Sequence, residues 1–154
     1  LFYAFTHMLI MPLVMAWLWL AYAPPGDAKL LLLMLLSLLG GFAFELARKT
    51  RAPEAERPTV ESYSLVLGLR GAVVAIGLVL LGGVAAQGWL LWLLAAPSWD
   101  YVLVGSLLLL TLGVYGRALR QPAEAWFRRA EVLVSLFMLV SYLSLILHIQ
   151  SYVG

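Results

Sequence analysis

The sequence predicts an all-α fold, specifically a polytopic transmembrane helix bundle of about five spans. Of the 154 residues, 64% are hydrophobic and the mean hydropathy is +0.96, whereas a soluble domain is about half apolar. Long runs such as residues 30–44 and 102–112 contain no charged side chain. Only helices and closed barrels satisfy backbone polar groups in lipid. Because these runs lack the apolar–polar alternation of barrel strands, they indicate helices.

The first predicted span covers residues 2–22, close to the length of about 20 residues that crossing a bilayer requires. Pro12 is expected to kink it, which membrane helices tolerate. Residues 23–27 carry two prolines, a glycine and an aspartate, a composition typical of a turn. The second span covers residues 30–47 and brings Glu45 to the membrane edge.

The third predicted span covers residues 64–86. Gln87 and Gly88 are expected to end it, and Pro97 precedes the next span. The apolar stretch between them, residues 89–94, is too short to cross the membrane. We therefore expect it to lie at the membrane interface as a separate piece.

The fourth span is predicted over residues 99–116 and the fifth over residues 130–150. Between them, Pro122 and Glu124 have the order typical of a helix start, with proline first and an acid in the first turn. Trp126 suits a short interfacial helix at this point. We expect residues 1–154 to form a single bundle that is the C-terminal part of a larger membrane domain.

The placement of the positive charges predicts the orientation. Nine of the ten Lys and Arg residues lie in or beside the loops 47–63 and 117–130, and only Lys29 lies on the other side. Five spans put these two loops on one face, and the positive-inside rule makes that face cytoplasmic. The expected location is the inner cell membrane. The sequence has no basic tail of the kind that would indicate a nucleic-acid partner.

Charges of both signs alternate in residues 45–61, between two apolar segments. Glu45 can pair with Arg48 and Lys49 at helical spacing, so one interpretation is a set of ordinary ion pairs and a topology signal. The other interpretation is a binding site for a diphosphate. Mg²⁺ prefers oxygen ligands and often binds through carboxylates plus substrate phosphates, and basic side chains neutralise the remaining phosphate charge.

The segment from Phe44 to Gly68 resembles the second acidic region of UbiA-type membrane prenyltransferases. The resemblance includes the run from Glu45 to Glu56, the run from Val60 to Gly68, and an upstream segment from Thr6 to Pro12. The acids here are Glu at wider spacing, where the family has Asp in a tighter arrangement. The family's first acidic motif would precede Leu1.

The resemblance implies a bundle of about nine helices that moves a prenyl group from a prenyl diphosphate to an aromatic or other lipid acceptor. We expect the full-length protein to be this transferase and the chain alone, lacking an N-terminal half, to be inactive. The residues carried over are Glu45, Arg48 and Lys49 as catalytic groups; Arg48, Lys49, Arg51 and Tyr63 as diphosphate ligands; and Glu45, Glu54 and Glu56 as Mg²⁺ ligands.

Two other classes of membrane protein fit part of this pattern. One is a non-catalytic UbiA-like membrane protein, and the other is a transporter or permease component; either could use the charged segment 45–61. A transporter would be expected to have ionisable residues deep in its membrane spans. The sequence has no cysteine and so no thiolate nucleophile. Neither His7 nor His148 has an acidic partner nearby in the sequence, so a Ser-His-Asp site has no support.

Overall fold

The computed structural model describes residues 6–22, 28–56 and 62–153, and nearly all of them are helical. No strand occurs in these ranges, which confirms the all-α prediction. The elements are α1 (Ile10–Tyr22), α2 (Ala28–Arg48), a 3-10 turn (Pro53–Ala55), α3 (Tyr63–Leu93), α4 (Ser98–Arg120) and α5 (Glu124–Val153).

Four helices are long and apolar enough to cross a membrane, which confirms a membrane protein. They are Lys29–Arg48, Tyr63–Leu93, Ser98–Arg120 and Glu124–His148, with 20, 31, 23 and 25 residues. The described part of the first predicted span is a shorter apolar helix, Thr6–Ala21. Four of the five predicted spans therefore reach crossing length within the described ranges.

The helices pack as sequential neighbours around α2, which contacts α1, α3 and α5, while α4 lies against α3 and α5. Small residues occupy the core beside large ones. The buried alanines include Ala43, Ala47, Ala72 and Ala130, each at most 2% exposed. Small side chains let membrane helices approach closely, where van der Waals packing drives association. This packing keeps the loops after α2 and α4 at one end of the bundle, called the charged end below.

The predicted break after residue 86 is wrong, because α3 continues to Leu93. Gln87 does not stop the helix because its side chain is fully buried and accepts a hydrogen bond from the Ser141 hydroxyl (2.6 Å). The helix ends one turn before Pro97 in a Schellman motif. Its two bonds run from the Ala96 N–H to the Leu91 carbonyl (2.9 Å) and from the Ala95 N–H to the Trp92 carbonyl (3.1 Å).

Two residues in or beside α3 have a positive φ. Ala95, next to the C-cap of α3, has φ 51° in the position that glycine usually occupies. Gly68, near the start of α3, has φ 70° and ψ 159°, so it interrupts the helical geometry.

The separate interfacial helix predicted at Pro122 is also wrong, because α5 runs without interruption from Glu124 to Val153. Phe127, Ala130, Val134 and Phe137 are all buried at helical spacing. The predicted interfacial helix and the fifth predicted span are therefore one helix with one continuous apolar face. Similarly, α4 extends past the predicted end at residue 116 to Arg120.

Candidate functional site

The loop after α2 folds back so that the end of α2 meets the start of α3. The Thr50 hydroxyl donates to the Leu46 carbonyl (2.7 Å), which satisfies a carbonyl in the last turn of α2. The Tyr63 N–H donates to the Lys49 carbonyl (3.0 Å). The Arg51 N–H donates to the Ser64 hydroxyl (2.9 Å). These backbone contacts fix where the charged side chains of the loop stand.

Glu45 is a buried carboxylate bound by two cations at the end of α2. Arg48 Nη2 lies 2.7 Å from Glu45 Oε2, and Lys49 Nζ lies 2.7 Å from Glu45 Oε1. The Glu45 side chain is 8% exposed, whereas those of Arg48 and Lys49 are 48% and 33% exposed. The two predicted catalytic cations are thus anchored from inside and face outward, where they retain donors for another anion.

A second cluster of charges centres on Glu124, the first residue of α5. Its carboxylate accepts hydrogen bonds from Arg51 Nη1 (2.7 Å) and from the Ala52 N–H (3.1 Å). Its own N–H donates to Glu54 Oε1 (2.9 Å). Arg128 Nε lies 3.1 Å from the same carboxylate. Glu124 therefore joins the two charged loops, a role that its sequence position at a helix start did not reveal.

Glu56 has a third set of contacts, at the start of α3. The Ser62 hydroxyl donates to Glu56 Oε2 (2.7 Å) and accepts from the Leu65 N–H (3.2 Å), which makes Ser62 the N-cap of α3. Glu56 Oε1 is buried and has no hydrogen-bond partner among the described residues. Arg57 and Glu61, the remaining charges of this loop, lie outside the described ranges.

The three predicted Mg²⁺ ligands are therefore held apart by different partners. Glu45 binds cations of α2, Glu54 binds the N-terminus of α5, and Glu56 binds the N-cap of α3. Within the part of the chain that the structure describes, no group of three or more His, Asp or Glu side chains is placed to hold a metal ion. These glutamates do not make a Mg²⁺ site by themselves, and Mg²⁺ remains a prediction that needs ligands from elsewhere.

Tyr63, the predicted diphosphate ligand on α3, is close enough to Glu45, Arg48 and Lys49 for their charges to act on its hydroxyl group. It is 6% exposed, and its ring belongs to the apolar core. The structure thus brings Tyr63, Glu45, Arg48 and Lys49 together, and places Arg51 beside Glu124 in the adjoining cluster.

Two further arginines at the charged end stack on one aromatic ring. The guanidinium carbons of Arg117 and Arg129 lie 4.8 Å and 4.6 Å from the centre of the Trp126 ring. Such distances suit cation–π contacts. Trp126, predicted as an interfacial residue, thereby joins the end of α4 to the start of α5.

A separate polar cluster lies at the opposite end of the bundle, between α4 and α5. The fully buried Asp100 accepts a hydrogen bond from the Ser144 hydroxyl (2.5 Å), and its other oxygen lies 2.6 Å from His148 Nε2. The fold supplies the acidic partner that the sequence near His148 lacks. Ser144 contacts the carboxylate rather than the imidazole, so the three residues do not form a Ser-His-Asp relay.

Comparisons with known proteins give this chain no family. No protein-family model matches the sequence, and no curated protein or solved structure matches it.

Proposed function

We propose that this chain forms part of a membrane transferase, similar to UbiA-type enzymes, that binds a prenyl diphosphate and passes its prenyl group to an aromatic or other lipid acceptor. The charged end would bind the diphosphate, and the apolar bundle would face the prenyl chain. In this proposal the charged end is on the cytoplasmic face of the inner cell membrane, as the positive-inside rule predicts.

The observation that carries the proposal is the arrangement of Glu45, Arg48 and Lys49. A buried carboxylate holds two cations whose side chains remain one third to one half exposed at the mouth of an apolar bundle. If these residues only set the orientation of the chain in the membrane, the Lys and Arg side chains alone would be enough. The buried acid adds a fixed position for each base, and electrostatic binding of an anion depends on such prior positioning.

The neighbouring cluster supports the same proposal. Arg51 is held by Glu124 on one side and retains an exposed fraction of 31%. A guanidinium has five N–H donors in a fork that matches phosphate oxygens. An arriving phosphate can therefore bind donors of Arg51 and Arg48 that the carboxylates leave unused.

Mg²⁺ takes no step in this proposal, because the described glutamates do not converge on one point. Glu54 and Glu56 would contribute to a metal site only together with acids outside the described residues. Binding of the diphosphate by the cations and any dependence of that binding on Mg²⁺ are therefore measured in separate experiments.

The test is binding of a labelled prenyl diphosphate to the full protein, including any segment upstream of Leu1, in lipid nanodiscs. The test variant combines Glu45→Gln, Arg48→Gln and Lys49→Gln, so that no buried carboxylate loses its partners. Loss of a charged hydrogen bond costs about 1.5 kcal/mol per cation, so we expect Kd to rise about 100-fold.

The matched control is Arg120→Gln, which lowers the net charge by the same single unit at the same end of the bundle. It should leave Kd within about twofold. If the control weakens binding as much as the test variant does, the site is diffuse positive charge and the proposal is wrong.

A second arm tests the metal. The double variant Glu54→Ala, Glu56→Ala is expected to abolish the Mg²⁺-dependent part of the binding while leaving membrane insertion intact. Equal binding by wild type and this variant, with or without Mg²⁺, would leave these acids a structural role. No binding by any form would favour a non-catalytic membrane protein or a transport component.

A further inference from the structure

Three arginines at the charged end have no acidic partner within the residues that the structure describes. They are all exposed and lie where α4 ends and α5 begins, called the α4–α5 corner below: Arg117, Arg120 and Arg129. Their guanidiniums take part in no ion pair and no hydrogen bond there. Four other bases at the charged end are each held by a glutamate: Arg48, Lys49, Arg51 and Arg128. The α4–α5 corner therefore carries an excess of positive charge.

Two of these three arginines are positioned by the ring of Trp126. The guanidinium carbons of Arg117 and Arg129 lie 4.8 Å and 4.6 Å from its centre, and the ring itself packs against the apolar core. Cation–π contact offsets part of the repulsion between two charges that share one ring. Stacking also uses the flat face of a guanidinium and leaves the N–H donors at its edge available. The arrangement therefore favours an anion that both arginines can reach.

The helix dipole accounts for one arginine of the pair and not for the other. Arg117 lies in the last turn of α4, where a cation is stabilised by the helix C-terminus. Arg129 lies beyond the first turn of α5, near the end of a helix that favours acids. Its position beside Arg117 thus needs another reason, and a shared anion supplies one.

The surroundings of the α4–α5 corner favour a lipid over a soluble anion. Both helices are long and apolar enough to cross a membrane, so their ends meet the layer of lipid headgroups, the level at which tryptophan is enriched. Each helix also has exposed apolar side chains on the same face as its arginine. Leu110 lies seven residues before Arg117, and Leu136 lies seven residues after Arg129. These side chains give acyl chains an apolar surface directly beside the two guanidiniums.

We propose that Arg117 and Arg129, held on the ring of Trp126, bind the phosphate of an anionic phospholipid in the leaflet at the charged end. The site is separate from the Glu45 cluster and does not depend on the proposed transferase function. A headgroup with a net negative charge complements the unpaired arginines. A zwitterionic headgroup carries its own ammonium group, which reduces its attraction to this corner.

The test is native mass spectrometry of lipid binding to the full protein, including any segment upstream of Leu1, released from a neutral detergent. The probes are phosphatidylglycerol and phosphatidylcholine with the same acyl chains, so that only the headgroup differs. We expect the wild type to bind phosphatidylglycerol about tenfold more tightly than phosphatidylcholine. Equal affinity for the two lipids would overturn the proposal.

The test variant combines Arg117→Gln with Arg129→Gln. We expect its Kd for phosphatidylglycerol to rise about 30-fold and its Kd for phosphatidylcholine to stay unchanged. The matched control combines Arg70→Gln with Arg120→Gln, which removes the same two charges from exposed arginines that stack on no ring among the described residues. The control should stay within about threefold of the wild type. Equal weakening by both variants would mean diffuse positive charge and no site.

Trp126→Leu separates the geometry of the site from its charge. This variant keeps every arginine but removes the ring that positions two of them. We expect its Kd for phosphatidylglycerol to rise about fivefold, because two cation–π contacts are lost. Wild-type affinity in this variant would mean that the ring does not build a site. Circular dichroism shows whether each variant keeps its helices.

Two further arms distinguish other anions. Displacement of phosphatidylglycerol by an equal concentration of inorganic phosphate would assign the corner to a soluble anion. Labelled prenyl diphosphate, measured in phosphatidylcholine nanodiscs, should bind the Arg117→Gln, Arg129→Gln variant as it binds the wild type. Weaker diphosphate binding there, as large as in the variant of Glu45, Arg48 and Lys49, would assign these arginines to the diphosphate site instead. The lipid measurement contains no diphosphate, so a failure of the proposed transferase function does not affect its outcome.

Discussion

Glu54 and Glu124 are 70 residues apart in sequence, and the N–H of Glu124 donates to Oε1 of Glu54 at 2.9 Å. The exchange is reciprocal, because the Glu124 carboxylate accepts the N–H of Ala52 in the same loop. An acid at a helix N-terminus satisfies donors that the helix leaves free. Here the acid comes from another loop, so the start of α5 and the loop after α2 are held as one unit.

Replacing Glu124 by alanine should loosen this unit. The change removes the partners of Arg51 and of the Ala52 N–H. After allowance for solvent screening, we expect the opening free energy of residues 51–56 to fall by about 1–2 kcal/mol. Amide hydrogen exchange in this segment should then be about 5- to 30-fold faster, as measured by mass spectrometry.

Glu131→Ala is the control for that experiment. Glu131 also binds Arg128 (3.0 Å), but among the described residues it has no hydrogen bond or ion pair with the loop after α2. Exchange in residues 51–56 should be unchanged in this variant. Equal acceleration in both variants would show that Glu124 acts through general charge and not through its contacts.

Gly68 should be intolerant of a side chain for backbone reasons alone. Its φ of 70° with ψ of 159° is a conformation that is essentially limited to glycine. A Cβ at this position would have nothing within 4 Å, so space is not the obstacle. Gly68→Ala should lower the free energy of unfolding in bicelles by about 1–3 kcal/mol.

Gly105→Ala serves as the comparison, since Gly105 lies inside α4 without a positive φ and a Cβ there also has open space. This variant should raise the free energy of unfolding by about 0.5–1 kcal/mol, because alanine loses less backbone entropy in a helix. The prediction for Gly68 is wrong if both alanines have the same effect.

Ala95 is the reverse case. It has φ 51° in the Schellman motif that ends α3, where glycine carries no steric penalty. Ala95→Gly should remove about 1–2 kcal/mol of strain and lose somewhat less to unfolded-state entropy. We expect a net gain of about 0.5 kcal/mol in unfolding free energy, whereas Ala96→Gly, without a positive φ, should give a loss.

The two charged loops should be labelled from one side of the membrane. Because residues 1–154 contain no cysteine, a single introduced cysteine in this chain reports its own position. Ala55→Cys and Ala125→Cys should react with a membrane-impermeant maleimide only after the cytoplasmic face is opened. Ser98→Cys, at the first residue of α4, should react in intact cells. Labelling of all three from the same side would contradict the transmembrane assignment.

The helical membrane fold could be predicted from the sequence because long charge-free runs leave few alternatives in lipid. Two features of the end of α3 could not be predicted from the sequence. Gln87 and Gly88 look like a break, but the partner of the Gln87 side chain is Ser141, 54 residues away. The end of α3 is marked by an alanine in a left-handed conformation, which no composition rule identifies.

The candidate site was predictable where partners are close in sequence. Glu45 meets Arg48 and Lys49 as helical spacing predicts. Glu124 and Asp100 were not recognised, because their partners lie 73 and 48 residues away and only packing brings them together. The identity of the substrate and the need for Mg²⁺ stay predictions.

One continuous helix, α5, carries Glu124 at its start and His148 near its end. At 1.5 Å per residue, these two residues are about 36 Å apart along one uninterrupted rod. A piston-like shift or a tilt of this rod would displace both of them. The helix α5 is therefore a rigid connection between the charged end of the bundle and its opposite end.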